Sequence, residues 1–249
     1  MKPLYNHIVA EGILNDIDVQ IDKGNEDIIR VEIGSFLSDN YICNGEFTIS
    51  DKPNKDGLYE VSSDSYVEVK NKNITSLTNG KFIFTKIDGS FHCDNCGKIE
   101  QLTGGPKKVR YVFNCTNCVS LKSLEGAPET VGGDFFCDYC TDLKSLKGCP
   151  KKIDGYFDCH NCTSLESLEG ALKKIEGSFY CYNCTNLKSL KGAPKYVGRH
   201  FDCSGCNITS FKDAPKYVGG NFTCKHSNKF EDDINKYSKI AGEIYIYRK

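Results

Sequence analysis

The chain lacks net charge: lysine plus arginine number 32 against 33 acidic residues, a formal −1 at pH 7 over 249 residues. Such a balance supplies no global field to draw nucleic acid or an anionic membrane. No apolar run approaches the roughly 18 residues of a membrane-spanning helix. The opening stretch MKPLYNHIVAEGILNDID is interrupted by His7, Glu11, Asn15 and Asp16, and so lacks the apolar core of a secretory signal. Nor is there a G-x-x-x-x-G-K-S/T loop, a nucleophile elbow or an H-E-x-x-H pair, the motifs of phosphate cradles, serine hydrolases and zinc proteases. What is abundant is cysteine. Fifteen of them without an export signal point to a reducing, cytoplasmic compartment where thiols stay free or bind metal.

The cysteines belong to a repeat. Units begin at Ile87, Val109, Val131, Ile153, Ile175, Val197, Val218 and Ile240, in steps of 22 residues except the sixth, which is 21. A fixed period in this range means a solenoid, whose units are too small to bury their own apolar face and stack on neighbours. One copy reads IDGYFDCHNCTSLESLEGALKK, from Ile153 to Lys174. Apolar or thiol residues fall at positions one, five, seven, ten, thirteen and sixteen. The step of two between Phe157 and Cys159 is strand alternation with both side chains inward. Later steps of three, as in Cys162, Leu165 and Leu168, suit a backbone that returns one side chain per bend to the core. Gly-Ala-Pro, at Gly126 to Pro128 and Gly192 to Pro194, then reverses the chain. Glycine at position three (Gly89, Gly133, Gly155, Gly177 and Gly220) is expected to take a positive φ before the strand. Each coil therefore reads as one short parallel strand, a loop and a return segment.

The core motif F-x-C-x-x-C-x-x-L-x-x-L resembles that of leucine-rich repeats, L-x-L-x-x-N/C-x-L-x-x-L, with phenylalanine and cysteine in place of the strand leucines. The copy at Phe201 to Ile208 keeps that family's two-residue step after the ladder position, whereas the others carry one extra residue. The resemblance is nearest to short 22-residue repeats ending in S-L-x-G-A-P, encoded by tailed bacteriophages and some bacteria, and covers roughly residues 63–249. It implies a mainly β, right-handed leucine-rich-repeat-like solenoid with one strand per coil, bearing a small non-repeat α/β cap. The expected divisions are 1–62 for that cap, 63–239 for the solenoid and 240–249 for a capping strand. A phage origin would place the protein in the host cytoplasm or the virion.

The ends follow from the need to cover an exposed core. In the cap, Leu4, Ile8, Ile13 and Ile17 could line a helix, although Ile17 to Ile21 alternates like a strand. Ile28 to Ile33 and Tyr41 to Ile49 read as strands, with a turn at Asp51 to Gly57. Tyr66 to Val69 with Ile74 and Leu77 reads as a degenerate first coil. Phe230, Ile234 and Tyr237 have helical spacing, and Ile240, Ile244 and Ile246 form a last edge strand with charged neighbours.

Six C-x-x-C pairs, from Cys93/Cys96 to Cys203/Cys206, have three readings. They are an inward structural ladder, zinc ligands shared by stacked coils, or cross-coil disulfides, which the rung spacing of about 4.8 Å would allow. The ladder is favoured, because Cys224 has no position-ten partner and buried free cysteine behaves as a small hydrophobe. No metal ligand and no cofactor is assigned on this reading. Positions four, six and eight alternate with the core and should face solvent. They gather Phe136, Tyr156, Asp158, His160, Tyr180, Tyr182, His200 and Asp202, with Phe136, Asp158 and Tyr180 in one row and Asp138, His160 and Tyr182 in the next. Exposed aromatics with polar neighbours suit a binding surface, though tyrosines also stabilise a bare sheet by stacking. Leucine-rich repeats bind through this face, so the resemblance implies the same here. Lysines and glutamates fill the bends, a solvated face in which nucleic acid is disfavoured because the repeats hold only Arg110 and Arg199.

These observations predict a non-enzymatic module that binds a partner protein on its strand face. Two alternatives stand beside it: a structural or cargo component of a phage particle docked by the N-terminal region, and a zinc-binding structural repeat.

Overall fold

The computed structural model describes residues 8–9, 25–227 and 234–248. The expected helix or strand within Leu4 to Ile21 lies outside those residues apart from Ile8–Val9, and so does Phe230. From Tyr59 onward the chain winds as a parallel β-solenoid of about 8 turns. Each coil carries two strands rather than the single one expected. Phe157–Asp158 and its equivalents build a ten-stranded sheet. Dipeptides such as Lys108–Val109 and Thr130–Val131 build a second parallel ladder on another side. The second strand leaves no alternation to read, because only one of its two residues turns inward and glycine follows. This ladder divides after Lys152–Ile153 and resumes at Lys174–Ile175. The division coincides with Leu172 standing where most repeats have proline.

From Ile87 to Cys224 every inward position is filled as expected. The rings of Phe91, Phe113, Phe135, Phe157, Phe179, Phe201 and Phe222 stack coil on coil, with centroids 5.0–5.7 Å apart and planes within 14° of parallel. Rungs lie about 4.8 Å apart, so the rings are slipped, the favoured offset geometry. Behind them run the cysteines and then the leucines, all sealed from solvent.

The glycine assignment needs correction. Positive φ belongs to the Gly-Ala-Pro turn, at Gly126, Gly148, Gly170 and Gly192 (φ 89°, 89°, 96° and 89°), not to position three. Position-three glycines are required by close approach instead: a Cβ on Gly177 would lie 2.0 Å from the carbonyl oxygen of Gly155. Left-handed backbone also recurs inside each C-x-x-C, at Asn95, Asn117, Tyr139, Asn161 and Asn183 (φ 56–59°) and at Gly205. Asparagine and glycine tolerate that conformation best.

At the N-terminal end, residues Ile28 to Ile33 are not a strand. They lie in the helix Asn25–Asn40. Ile29, Ile33, Phe36 and Leu37 recur at helical spacing and pack on the core, and Glu26 and Asp27 sit in the positively polarised first turn. Phe36 meets Phe82 edge-on at 5.8 Å, and Phe84 and Tyr41 cover the Phe91 end of the ring stack at 5.5 and 6.2 Å. Tyr41–Cys43 and Glu46–Ile49 are separate strands broken at Asn44-Gly45, and both pair antiparallel before the parallel winding begins. Val67, Val69, Ile74 and Leu77 of the degenerate coil point inward as expected. At the other end Ile234–Lys236 is one short 3-10 turn, followed by edge strands Lys239–Ile240 and Ile244–Arg248.

Candidate functional site

Sheet register places the strand-face side chains. Phe136 pairs with Asp158, Asp158 with Tyr180, and Tyr180 with Asp202, so these four form one row across consecutive coils. Asp138, His160 and Tyr182 follow in the next row, their carbonyls accepting from the left-handed residues Asn117, Tyr139 and Asn161 of the preceding coils. Both rows match the sequence reading. Their exposure does not: most of these side chains are half-buried, and Asp138 and Ser178 are buried outright at 7% and 0%. Neighbouring rungs are close enough that a ring on one coil covers the polar group on the next.

His160 is the centre of the arrangement. Its Nδ1 lies 2.8 Å from Asp158 Oδ1, which also accepts from the His160 backbone N–H. Its Nε2 lies 4.0 Å from Asp138 Oδ2. The other oxygen of Asp138 accepts from Thr116 Oγ1 at 2.7 Å, which fixes that carboxylate. Tyr182 stacks flat on the imidazole at 4.4 Å, and Tyr139 meets it edge-on at 5.0 Å. Tyr156 and Tyr180 form a second, edge-on pair at 6.2 Å. Burial pushes the Asp158 carboxyl above its ordinary value, partly offset by hydrogen bonds from His160. Burial, then the charge of Asp158, pushes the Tyr182 phenol up to about 12.

The structure thus brings together Phe136, Tyr156, Asp158, His160, Tyr180 and Tyr182. Asp202 continues the Tyr180 row and accepts from Ser204 N at 2.8 Å. His200 stands apart and exposed, separated from Tyr156 by the buried Ser178, with its Nδ1 accepting from Asn221 N. The sequence reading omitted Tyr139 and Asp138 from the site. Tyr139 had a signal: it occupies the place of asparagine in four other coils.

The cysteines do different work. From Cys118 onward, each position-ten thiol donates to the carbonyl of the position-seven cysteine one coil back: Cys118 to Cys93, Cys140 to Cys115, Cys162 to Cys137, Cys184 to Cys159 and Cys206 to Cys181, at 3.0–3.3 Å. That carbonyl lies at the corner where the chain leaves the sheet. Burial keeps the inward thiols of Cys115, Cys137, Cys159 and Cys203 well above the usual thiol range. All fifteen cysteines are free thiols, and among the described residues no three histidine, cysteine or acidic side chains converge as metal ligands would.

No protein-family model, curated protein or solved structure matches the chain. The class is set by architecture: a cysteine-rich parallel β-solenoid of stacked 22-residue coils. Among the described residues no helix is long and apolar enough to cross a membrane.

Proposed function

We propose that this chain is a non-enzymatic protein-binding module that takes its partner on the strand face, centred on Phe136, Tyr156, Asp158, His160, Tyr180 and Tyr182. The observation that carries this reading is the cluster around His160. Three adjacent rungs hold aromatic rings and carboxylates in fixed, half-buried geometry, while the inward positions beneath them simply repeat. Rigid aromatics bordered by oriented polar groups are what binding hot spots are made of. The resemblance to leucine-rich repeats, which bind through the same face, points the same way, and the phage-encoded repeats it is nearest to fit a cytoplasmic partner.

Charge narrows the partner. The strand face carries Glu68, Asp94, Asp134, Asp138, Asp158, Asp202 and Glu243, against Lys70, Lys72 and Lys225. A segment rich in lysine or arginine complements it, with cations able to lie over the tyrosine rings. The test is retention of the intact chain on arrays of basic and acidic synthetic peptides, compared with the double variant Tyr156→Ala, Tyr180→Ala. Hot-spot truncation costs about 2 kcal/mol or more, so retention on basic peptides should fall at least about thirtyfold while melting stays cooperative. Undiminished retention by a folded double variant, or preference for the acidic peptides, overturns the proposal.

A further inference from the structure

Away from the strand face, the bends show how this fold handles charge stacked on itself. One row runs Glu125, Lys147, Glu169, Lys191, alternating in sign, and its neighbours pair across coils: Lys147 with Glu125 at 2.7 Å and Lys191 with Glu169 at 2.8 Å. Lys122 pairs with Glu100 in the same manner. Four positions further on, the next row begins alike, with Lys107, Glu129 and Lys151, the last two paired at 2.9 Å. Then the alternation stops. Lys173, Lys195 and Lys216 follow on consecutive coils, joined by backbone hydrogen bonds from Lys195 N to Lys173 O and from Lys216 N to Lys195 O, both 2.8 Å. All three are exposed, and among the described residues no carboxylate lies within ion-pair distance of any of them.

Stacked like charges about 4.8 Å apart destabilise a sheet. The fold neutralises them along the row of Glu125, Lys147, Glu169 and Lys191 and leaves them here. Beside this lysine rail lies a smooth strip. Tyr196 and Tyr217 stack at 5.0 Å with planes 13° apart, flanked in register by Lys174 and Lys239. Beyond them come Gly198 and Gly219, where a Cβ would lie 2.2 Å from the carbonyl oxygen of Glu176 or of Gly198 and no side chain can stand. Arg199, also exposed, borders the strip.

We infer that the rail of Lys173, Lys195 and Lys216 binds a linear chain of phosphate groups, of the kind inorganic polyphosphate presents. A repeating cationic rail fits a repeating anion, and lysine offers point charges on flexible stems that adapt to its spacing. Both faces of Tyr196 and one face of Tyr217 are already covered, by the stacking of the two rings and by Lys174 Nζ at 4.9 Å from the Tyr196 ring centre. That leaves no run of open ring faces on which successive bases could stack, which favours a phosphate chain without bases over single-stranded nucleic acid. This site is independent of the strand face and of the reading proposed for it.

The experiment titrates the intact chain with end-labelled inorganic polyphosphate across a range of salt. Two triple variants are compared with the wild type: Lys173→Gln, Lys195→Gln, Lys216→Gln, and the control Lys122→Gln, Lys147→Gln, Lys191→Gln in ion-paired positions. Each lost contact removes about 0.7 from the slope of log affinity against log salt, so the rail variant should lose about 2 while the control stays within about twofold of wild type. Replacing the same three rail lysines by arginine should retain binding, which separates charge from folding. The inference is overturned by equal losses in the two glutamine triples, by an unchanged slope in the rail variant, or by tighter binding of oligothymidylate than of polyphosphate.

Discussion

The alanine variants Cys162→Ala and Cys140→Ala test whether the position-ten thiols hold the coils together by hydrogen bonding or merely fill space. Both side chains are fully buried at the same position of adjacent coils, so alanine removes the same sulfur from the same kind of environment. Loss of that volume costs about 1 kcal/mol, with a further contribution from the cavity. The two sites differ in what is left behind. Cys137 O accepts from Cys162 Sγ at 3.1 Å, its single hydrogen bond among the described residues. Cys115 O accepts from Cys140 Sγ at 3.3 Å and also from the backbone N–H of Cys118 at 3.4 Å. An orphaned buried carbonyl costs about 1–3 kcal/mol, near the low end here because a thiol is a weak donor. Cys162→Ala should therefore lose about 2–3 kcal/mol and Cys140→Ala about 1–2 kcal/mol. Urea denaturation measures both, and an unchanged dependence on denaturant would show that the comparison is of native states. A loss at Cys140 equal to or greater than that at Cys162 would refute the carbonyl argument and leave the thiols as packing alone.

Two further outcomes follow from burial. A thiol-specific reagent without denaturant should modify about one cysteine per chain, the half-buried Cys149, because the ladder thiols are sealed from solvent, and slowly, because burial pushes the Cys149 thiol up to about 12. All fifteen should react on unfolding, and rapid native-state reaction of several would reverse the assignment of inside and outside. The second outcome concerns Asp158, whose carboxyl lies above its ordinary value of 3.8, so the folded chain holds this proton more tightly than the unfolded chain. Ionised Asp158 therefore destabilises the fold above its folded pKa, and that penalty fades as pH falls toward 3.8. Asp158→Asn keeps an oxygen to accept from His160, so it should melt higher than wild type at neutral pH. That advantage should close on acidification, and one that grew instead would contradict the burial argument.

The solenoid was legible because its core is written with side chains: Phe157, Cys159, Cys162, Leu165 and Leu168 recur at fixed offsets, and all five are buried. The rows of the strand face followed from the same register, which is why Phe136, Asp158 and Tyr180 stand where their spacing put them. What escaped the sequence was set by backbone. The second strand of each coil is two residues long and has no period. The helix Asn25–Asn40 begins with Ile28, Ile29, Val31 and Ile33, β-branched residues whose alternation resembles a strand. Its helical periodicity emerges only when Phe36 and Leu37 are added, and it leaves Ile28 and Val31 exposed. The glycines misled because two constraints call for the same residue: positive φ at Gly126 and close contact at Gly177. Asp138 was underrated because alternation gives the direction of a side chain and not what the neighbouring coil lays over it.

Tyr139 shows where the needs of the fold and of the surface part. Inside each C-x-x-C the backbone must turn left-handed to carry the second thiol inward, and the sequence meets this with asparagine at four coils and glycine at one. A tyrosine there costs on the order of 1 kcal/mol against those residues. It is also 47% exposed, so burial does not recover that cost. Its ring instead stands edge-on to His160, on the imidazole that Tyr182 stacks against and that Asp158 and Asp138 flank. The one coil that departs from the left-handed consensus with a bulky residue is the coil that completes the enclosure of His160. On the reading proposed for the strand face, the backbone strain at this one rung serves the surface around His160 rather than the stack, and Tyr139→Asn should then stabilise the fold while weakening retention on basic peptides.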